Sequence, residues 1–322
     1  MSTHLSPKLQ PWLDQVNTLL AQQRKEGASF SPVSAREALA YVTMTLVTQR
    51  PELPWVGDVV VDTGDYPVPV RLYDPAPETP KPVCVYLHGG GHMSGGVTVY
   101  DAICRKLAEA SGHLVVSVEY RLAPECPYPA AVEDTLAVLE HLWPALEAKQ
   151  RRVVESLSVA GDSAGGALAA TASARLQGDG HIPLHRQILI YPSLDYTLSY
   201  PSVQALGQGY FLEEARIRWY FDNYFRLGGD RHRASPLSMP LTAAMPETLV
   251  VTAGFCPLRD EGLAYVKRLE ESGVTHRHHH FPDMLHAFLN MEDLVAQECN
   301  EAYRVMAEFL NDGRFMSSPD SR

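Results

Sequence analysis

The pattern of apolar and polar residues changes character twice along the chain. Up to about residue 50, apolar residues recur at helical spacing. Leu9, Trp12, Leu13, Val16, Leu19 and Leu20 fall on one stripe, which predicts an amphipathic helix. Ser34 is placed to cap a second helix, with Glu37 three positions on. Two short β-branched runs follow, Val59-Val60-Val61 and Val68 to Tyr73, and read as a strand pair joined through Gly64-Asp65. From Val83 onward the pattern becomes strand, loop, helix, repeated, and strands are predicted at 83–87, 114–119, 156–160, 187–191, 248–253 and 276–281. That alternation predicts an α/β fold, with a mostly parallel sheet flanked by helices on both faces.

One interval breaks the rhythm. The long connection between the strands at 187–191 and 248–253 holds the aromatic run Ile217-Arg218-Trp219-Tyr220-Phe221-Asp222-Asn223-Tyr224-Phe225. A connection of that length usually carries a lid or binding insertion. We therefore expect a helical cap built from residues 1–50 and an insertion at about 195–240, over a catalytic domain spanning 51–322. The aromatic run reads equally well as a helix stripe facing the core.

In such sheets the reactive groups sit beyond the carboxyl ends of the strands. His88, Ser163, the segment after Gly254, and His286 all fall at such ends. Gly161-Asp162-Ser163-Ala164-Gly165 is a G-x-S-x-G elbow between a predicted strand and a predicted helix, which makes Ser163 the expected nucleophile. Its base is expected to be His286, past the last strand and 123 positions after Ser163 in the order such hydrolases use. Val83 to Leu87 runs straight into His88-Gly89-Gly90-Gly91. Backbone N–H groups of Gly90, Gly91 and Ala164 can converge on a developing oxyanion, the last with a helix dipole behind it.

Here a resemblance becomes plain. His88-Gly89-Gly90-Gly91, Tyr120-Arg121-Leu122-Ala123-Pro124-Glu125, Tyr128-Pro129-Ala130-Ala131 and Gly161 to Gly166 resemble the signature series of the hormone-sensitive-lipase branch of the α/β-hydrolases, the bacterial type IV esterases. The resemblance runs from about Val83 to the C-terminal helix. It implies an eight-stranded α/β-hydrolase fold with a cap, Ser163 as nucleophile, His286 as base, and Gly90, Gly91 and Ala164 as the oxyanion hole. It also implies short acyl chains.

The chain departs from the family at one position. After Thr252-Ala253-Gly254 the family carries its triad acid in a segment of the form Asp-Pro-Leu-x-Asp, whereas this chain reads Phe255-Cys256-Pro257-Leu258-Arg259-Asp260. Cys256 stands where the acid is expected. In one well-characterised serine protease, removing that acid costs roughly 3 × 10⁴ in turnover. Asp260 is the best-placed substitute if the next helix has already begun, since it would lie one turn from Cys256. Asp283, three residues before His286, is a second candidate. The third is Cys256 itself, a weak acceptor because a free thiol is mostly neutral. Otherwise the cysteine marks a weakened enzyme or was introduced.

The remaining composition narrows the partners. The net charge of −11 disfavours nucleic acid and anionic membrane surfaces. No stretch approaches the roughly 18 apolar residues of a membrane span, and the polar start has no signal-peptide core. Five scattered cysteines without a C-x-x-C suit free thiols in the cytoplasm. No metal or cofactor is expected, and a homodimer is left open. His276, His278 and His280 share one strand face, better read as a polar edge than as a metal site. Arg121 and Glu125 are expected in a structural corner, Asp162 as a brace for the elbow, and Cys84 as a small hydrophobe. These residues together predict a carboxylic ester hydrolase acting on a small-molecule ester. The alternative is a binding protein on the same scaffold, as the plant gibberellin receptors are.

Overall fold

The computed structural model describes residues 4–27, 29–64 and 66–312. Eight strands form one sheet: β1 (Trp55–Val61), β2 (Val68–Asp74), β3 (Lys81–Leu87), β4 (Leu114–Val118), β5 (Val153–Asp162), β6 (Leu184–Ile190), β7 (Glu247–Phe255) and β8 (His276–Leu285). Their spatial order is β1-β2-β4-β3-β5-β6-β7-β8. The first two pairings are antiparallel and the rest parallel. Each expected strand is present, but β1 begins earlier than its Val59-Val60-Val61 run, β6 begins at Leu184, and β8 runs on to Leu285. In the turn between β1 and β2, Asp65 lies outside the described residues, as do 313–322 at the end of the expected catalytic domain.

The central strands carry few polar residues because helices cover both faces. Val83, Cys84, Val85, Tyr86 and Leu87 of β3 are all buried, and so is the whole of β4. The covering helices are α3 (Asp101–Ser111), α4 (Ala130–Ala148), α5 (Ala164–Leu176), α9 (Arg259–Glu271) and α10 (Ala296–Asn311). Between β6 and β7 lie α6 (Pro201–Leu206), α7 (Glu214–Tyr224) and the short α8 (Arg231–Ala234). No helix among the described residues is long and apolar enough to cross a membrane.

The chain opens with α1 (Gln10–Lys25) and α2 (Pro32–Leu46). The cap of α2 is Ser31, not Ser34. Ser31 Oγ accepts the N–H of Ser34 at 3.1 Å, and Ser34 Oγ accepts that of Ser31 at 3.2 Å. Pro32 explains the earlier start, since its fixed φ and missing N–H suit the first helical position. Of the α1 stripe only Leu19 is exposed; Trp12, Val16 and Leu20 are half-buried. Leu9 and Leu13 are buried but Leu19 is 54% exposed, because α1 has packing partners on one side only. Trp12 packs on Phe211 at 5.2 Å, Asn17 Nδ2 donates to Gly209 O at 3.0 Å, and Arg24 pairs with Glu213. The α2 helix is pinned to the sheet domain instead. Arg36 donates to Met93 O and Ala123 O and pairs with Glu125, while Asn290 Nδ2 donates to Thr43 Oγ1.

Candidate active site

Ser163 sits at the break between β5 and α5, with φ 53° and ψ −116°. A non-glycine residue holds that conformation only when its surroundings enforce it. Its N–H donates to Ile190 O at 2.9 Å, and its carbonyl accepts from Ser193 and Ala167. The turn passes so close to β3 that a Cβ on Gly165 would lie 1.9 Å from Leu87 O. This crowding lifts the serine side chain off the sheet and explains the flanking glycine.

His286 follows the last residue of β8. Its Nε2 lies 3.0 Å from Ser163 Oγ, and the edge of the Tyr191 ring packs beside it. With Ser163 Oγ–H donating to Nε2, the imidazole proton belongs on Nδ1. That nitrogen faces Cys256 Sγ at 3.1 Å, and the sulfur also accepts the N–H of Leu258 at 3.3 Å. The β7–β8 register puts Phe255 opposite Leu285, which brings the two following residues, Cys256 and His286, side by side. Burial alone pushes the His286 pKa down to about 3, and burial raises that of the Cys256 thiol.

Asp260 is not brought to His286. The helix α9 starts only at Arg259, so Cys256 and Asp260 do not share a helix face. The Asp260 carboxylate turns to α6, where it accepts the N–H of Ser202 at 2.9 Å and pairs with Arg259. Ser202 Oγ returns the contact by accepting Asp260 N–H and donating to Pro257 O. Asp283 lies inside β8, its carbonyl accepting Ser6 N–H. Among the described residues no carboxylate pairs with either ring nitrogen of His286.

Gly90, Gly91 and Ala164 border the same cavity as Ser163 and His286. The two glycines have φ of 120° and 65° and are clamped closely. A Cβ on Gly90 would meet Ser94 O at 2.2 Å, and one on Gly91 would meet the Tyr220 ring at 2.5 Å. Asp162 anchors the loop from below. Its carboxylate accepts Gly89 N–H at 2.7 Å, Tyr86 Oη–H at 3.0 Å and Tyr100 Oη–H at 3.1 Å. Complete burial raises the Asp162 pKa to about 6 against the pull of those donors. His88 stacks on Tyr120, whose hydroxyl donates to His88 O at 2.6 Å. After the glycines, His92 stacks on Tyr224 at 3.9 Å and shares a hydrogen bond with Tyr196 Oη at 3.0 Å.

The cavity encloses about 80 Å³ and is walled mainly by apolar side chains. Leu39 comes from α2; Phe211, Leu212, Ile217, Tyr220 and Phe221 come from the insertion. The aromatic run therefore serves both readings at once. Tyr220 and Phe221 line the cavity, while Tyr224 and Phe225 pack into an aromatic cluster with Tyr128 and Tyr196. The pairing of His92 with Tyr224 and Tyr196 has no signal in the sequence, since it joins three distant segments. Arg121 and Glu125 form two contacts rather than one corner: Arg121 grips Asp134 of α4, and Glu125 meets Arg36 of α2. Thr252 Oγ1 of β7 lies 2.8 Å from both His278 Nε2 and His280 Nδ1 of β8. Cys84 is buried in β3.

A family model for the alpha/beta hydrolase fold matches residues 84–290. The chain belongs to the hormone-sensitive-lipase-like branch of the α/β-hydrolases. It is 34% identical over 263 residues to the ethyl acetate hydrolase of Pseudomonas putida, covering 79% of this chain and 82% of that one. An arylesterase of Saccharolobus solfataricus is 34% identical over 238 residues, covering 72% and 76%. The solved structure of a hyperthermophilic esterase from the archaeon Pyrobaculum calidifontis superposes with a TM-score of 0.83 at 31% identity, covering 96% of this chain and 98% of that one.

Proposed function

We propose that this protein hydrolyses carboxylic esters of short acyl chains through a serine-bound acyl intermediate. Ser163 Oγ attacks the ester carbonyl while His286 Nε2 takes its proton. The N–H groups of Gly90, Gly91 and Ala164 receive the oxyanion, and water then releases the acid. The observation that carries this reading is the 3.0 Å contact of Ser163 Oγ with His286 Nε2 at the wall of an apolar cavity. A binding protein on this scaffold would have no use for that contact. The esterase names of both relatives support the activity.

The small cavity supports a short acyl limit. Its walls support the division into a cap, formed by residues 1–50 and the insertion at about 195–240, over a catalytic domain of 51–322. The cytoplasm suits five free cysteines, four of them buried. For a homodimer the sheet leaves two open edges, β1 and β8. The test is hydrolysis of p-nitrophenyl butyrate together with labelling by a fluorophosphonate. The native chain should do both, and Ser163→Ala should lose labelling and roughly 10⁴–10⁶ of kcat. Equal turnover by the variant would sink the proposal.

A further inference from the structure

We infer that the line Ser163–His286–Cys256 keeps the geometry of a triad without its charge, and that it thereby selects esters of acidic alcohols, such as aryl and enol esters, over alkyl esters. This rests on the ester-hydrolase reading. A triad acid does two things: it fixes the imidazole tautomer and it stabilises the imidazolium. Cys256 Sγ can do the first. At 3.1 Å it accepts from Nδ1–H, and the second donor on it, Leu258 N–H, holds the sulfur in place.

Cys256 cannot do the second, because it is fully buried and its thiol is held neutral there. The acids nearest in sequence are committed elsewhere. Asp260 serves Ser202 and Arg259; Glu261, itself buried with its pKa raised by that burial, accepts Leu194 N–H at 2.7 Å. Among the described residues no carboxylate is therefore paired with the ring that must take up the proton.

The consequence depends on the leaving group. In acylation, the Ser163 Oγ–carbon bond forms, the Oγ proton passes to Nε2, and the carbonyl electron pair moves onto the oxyanion. The carbon–oxygen bond to the leaving group then breaks, and that oxygen takes the electron pair. An alkoxide leaves only as it receives the proton from Nε2, so the rate-limiting transition state carries a nearly full imidazolium. A phenolate or enolate leaves as a stable anion. Its transition state comes earlier, with the proton only partly on Nε2. The proton is passed afterwards to solvent or to the departing anion. Withholding stabilisation from imidazolium thus slows alkyl esters more than aryl esters. Deacylation is shared by esters of one acid, where water gives its proton to Nε2 and Ser163 recovers one. The selection therefore shows in kcat/KM, which reports acylation.

The test measures kcat/KM for p-nitrophenyl, phenyl and ethyl acetate with the native chain and with Cys256→Asp. Each aryl-to-alkyl ratio is divided by the ratio for hydroxide in the same buffer. We expect the native ratio to exceed the hydroxide ratio by about tenfold or more, and Cys256→Asp to reduce it by a similar factor while raising ethyl acetate turnover most. A lost acceptor alone, in Cys256→Ala, should lower both classes alike. A native ratio at or below that of hydroxide overturns the inference even if Cys256→Asp does not fold. So does an equal gain for both classes in Cys256→Asp. Failure to turn over any acetate, with no fluorophosphonate labelling of Ser163, would instead overturn the ester-hydrolase reading beneath it.

Discussion

The two flanks of Ser163 are built on opposite principles. On the oxyanion flank, the buried Asp162 carboxylate gathers three donors and ties β3, the glycine loop and Tyr100 to the elbow. On the base flank, the corresponding place behind His286 holds the neutral sulfur of Cys256. Both flanks are well ordered in geometry, yet only one has a charge to organise it. Positioning and charge are thus separable tasks, and a thiol can supply the first alone.

Breaking the charged flank should have the largest effect. Asp162→Ala leaves Gly89 N–H and two tyrosine hydroxyls without their acceptor. It is expected to cost about 2–4 kcal/mol of stability. Loss of loop placement should also lower kcat by roughly 10²–10³. Urea unfolding and p-nitrophenyl butyrate kinetics on the same sample check both. An unchanged unfolding midpoint would show that the three donors find other partners.

The flanks also differ in their answer to acid. His286 and His92 are buried with pKa values pushed down to about 3, and His88 to about 4. The unfolded chain takes up those protons near pH 6.5, whereas the native chain refuses them until about pH 3–4. The stability present above pH 6.5 is therefore lost progressively as pH falls through that window. Asp162 works in the other direction. Its folded pKa of about 6 lies above its unfolded value of 3.8, so protonation between the two favours the native state. Glu261 and Glu119 are raised by burial as Asp162 is, while His278 and His280 are lowered like the other three; five histidines outweigh three carboxylates, and Tm should fall from pH 7 to pH 5. A Tm that rises over that range would mean the histidines are protonated in the fold.

Much of this arrangement was legible in the sequence because it is local. A strand feeding a glycine run, and a strand–serine–helix elbow, each lie within a few consecutive residues. What was not legible depends on where helices begin and on which distant segments meet. Asp260 looked like the substitute acid only on the assumption that α9 had started before Arg259. Ser34 has the residue type of a cap, but Pro32 starts the helix earlier and makes Ser31 the cap. The aromatic run had its helical period, but its division between cavity wall and His92 cluster depends on packing between segments far apart in sequence.

Smaller effects sharpen the picture. Tyr220 packs against Gly91 and borders the cavity, so Tyr220→Ala should move the preferred acyl chain to longer esters, by about tenfold in the ratio of kcat/KM for octanoate over acetate. An unaltered chain-length profile would place the acyl group elsewhere. Ser31→Ala should cost only about 1 kcal/mol in urea unfolding, the usual worth of a cap, and leave kinetics untouched.

The most direct measurement is the pH profile of kcat/KM for p-nitrophenyl acetate, native against Cys256→Asp. His286 is bordered by Cys256, Ser163 and the Tyr191 ring, with no carboxylate paired to it. A buried imidazole without a negative neighbour takes up its proton only at low pH, so the native acid limb should lie near pH 3–4, limited by unfolding if that comes first. A carboxylate stabilises imidazolium, and Cys256→Asp should move the limb upward by one unit or more. A native limb already at pH 6–7, unmoved by Cys256→Asp, would contradict the account of a relay that keeps its geometry and lacks its charge.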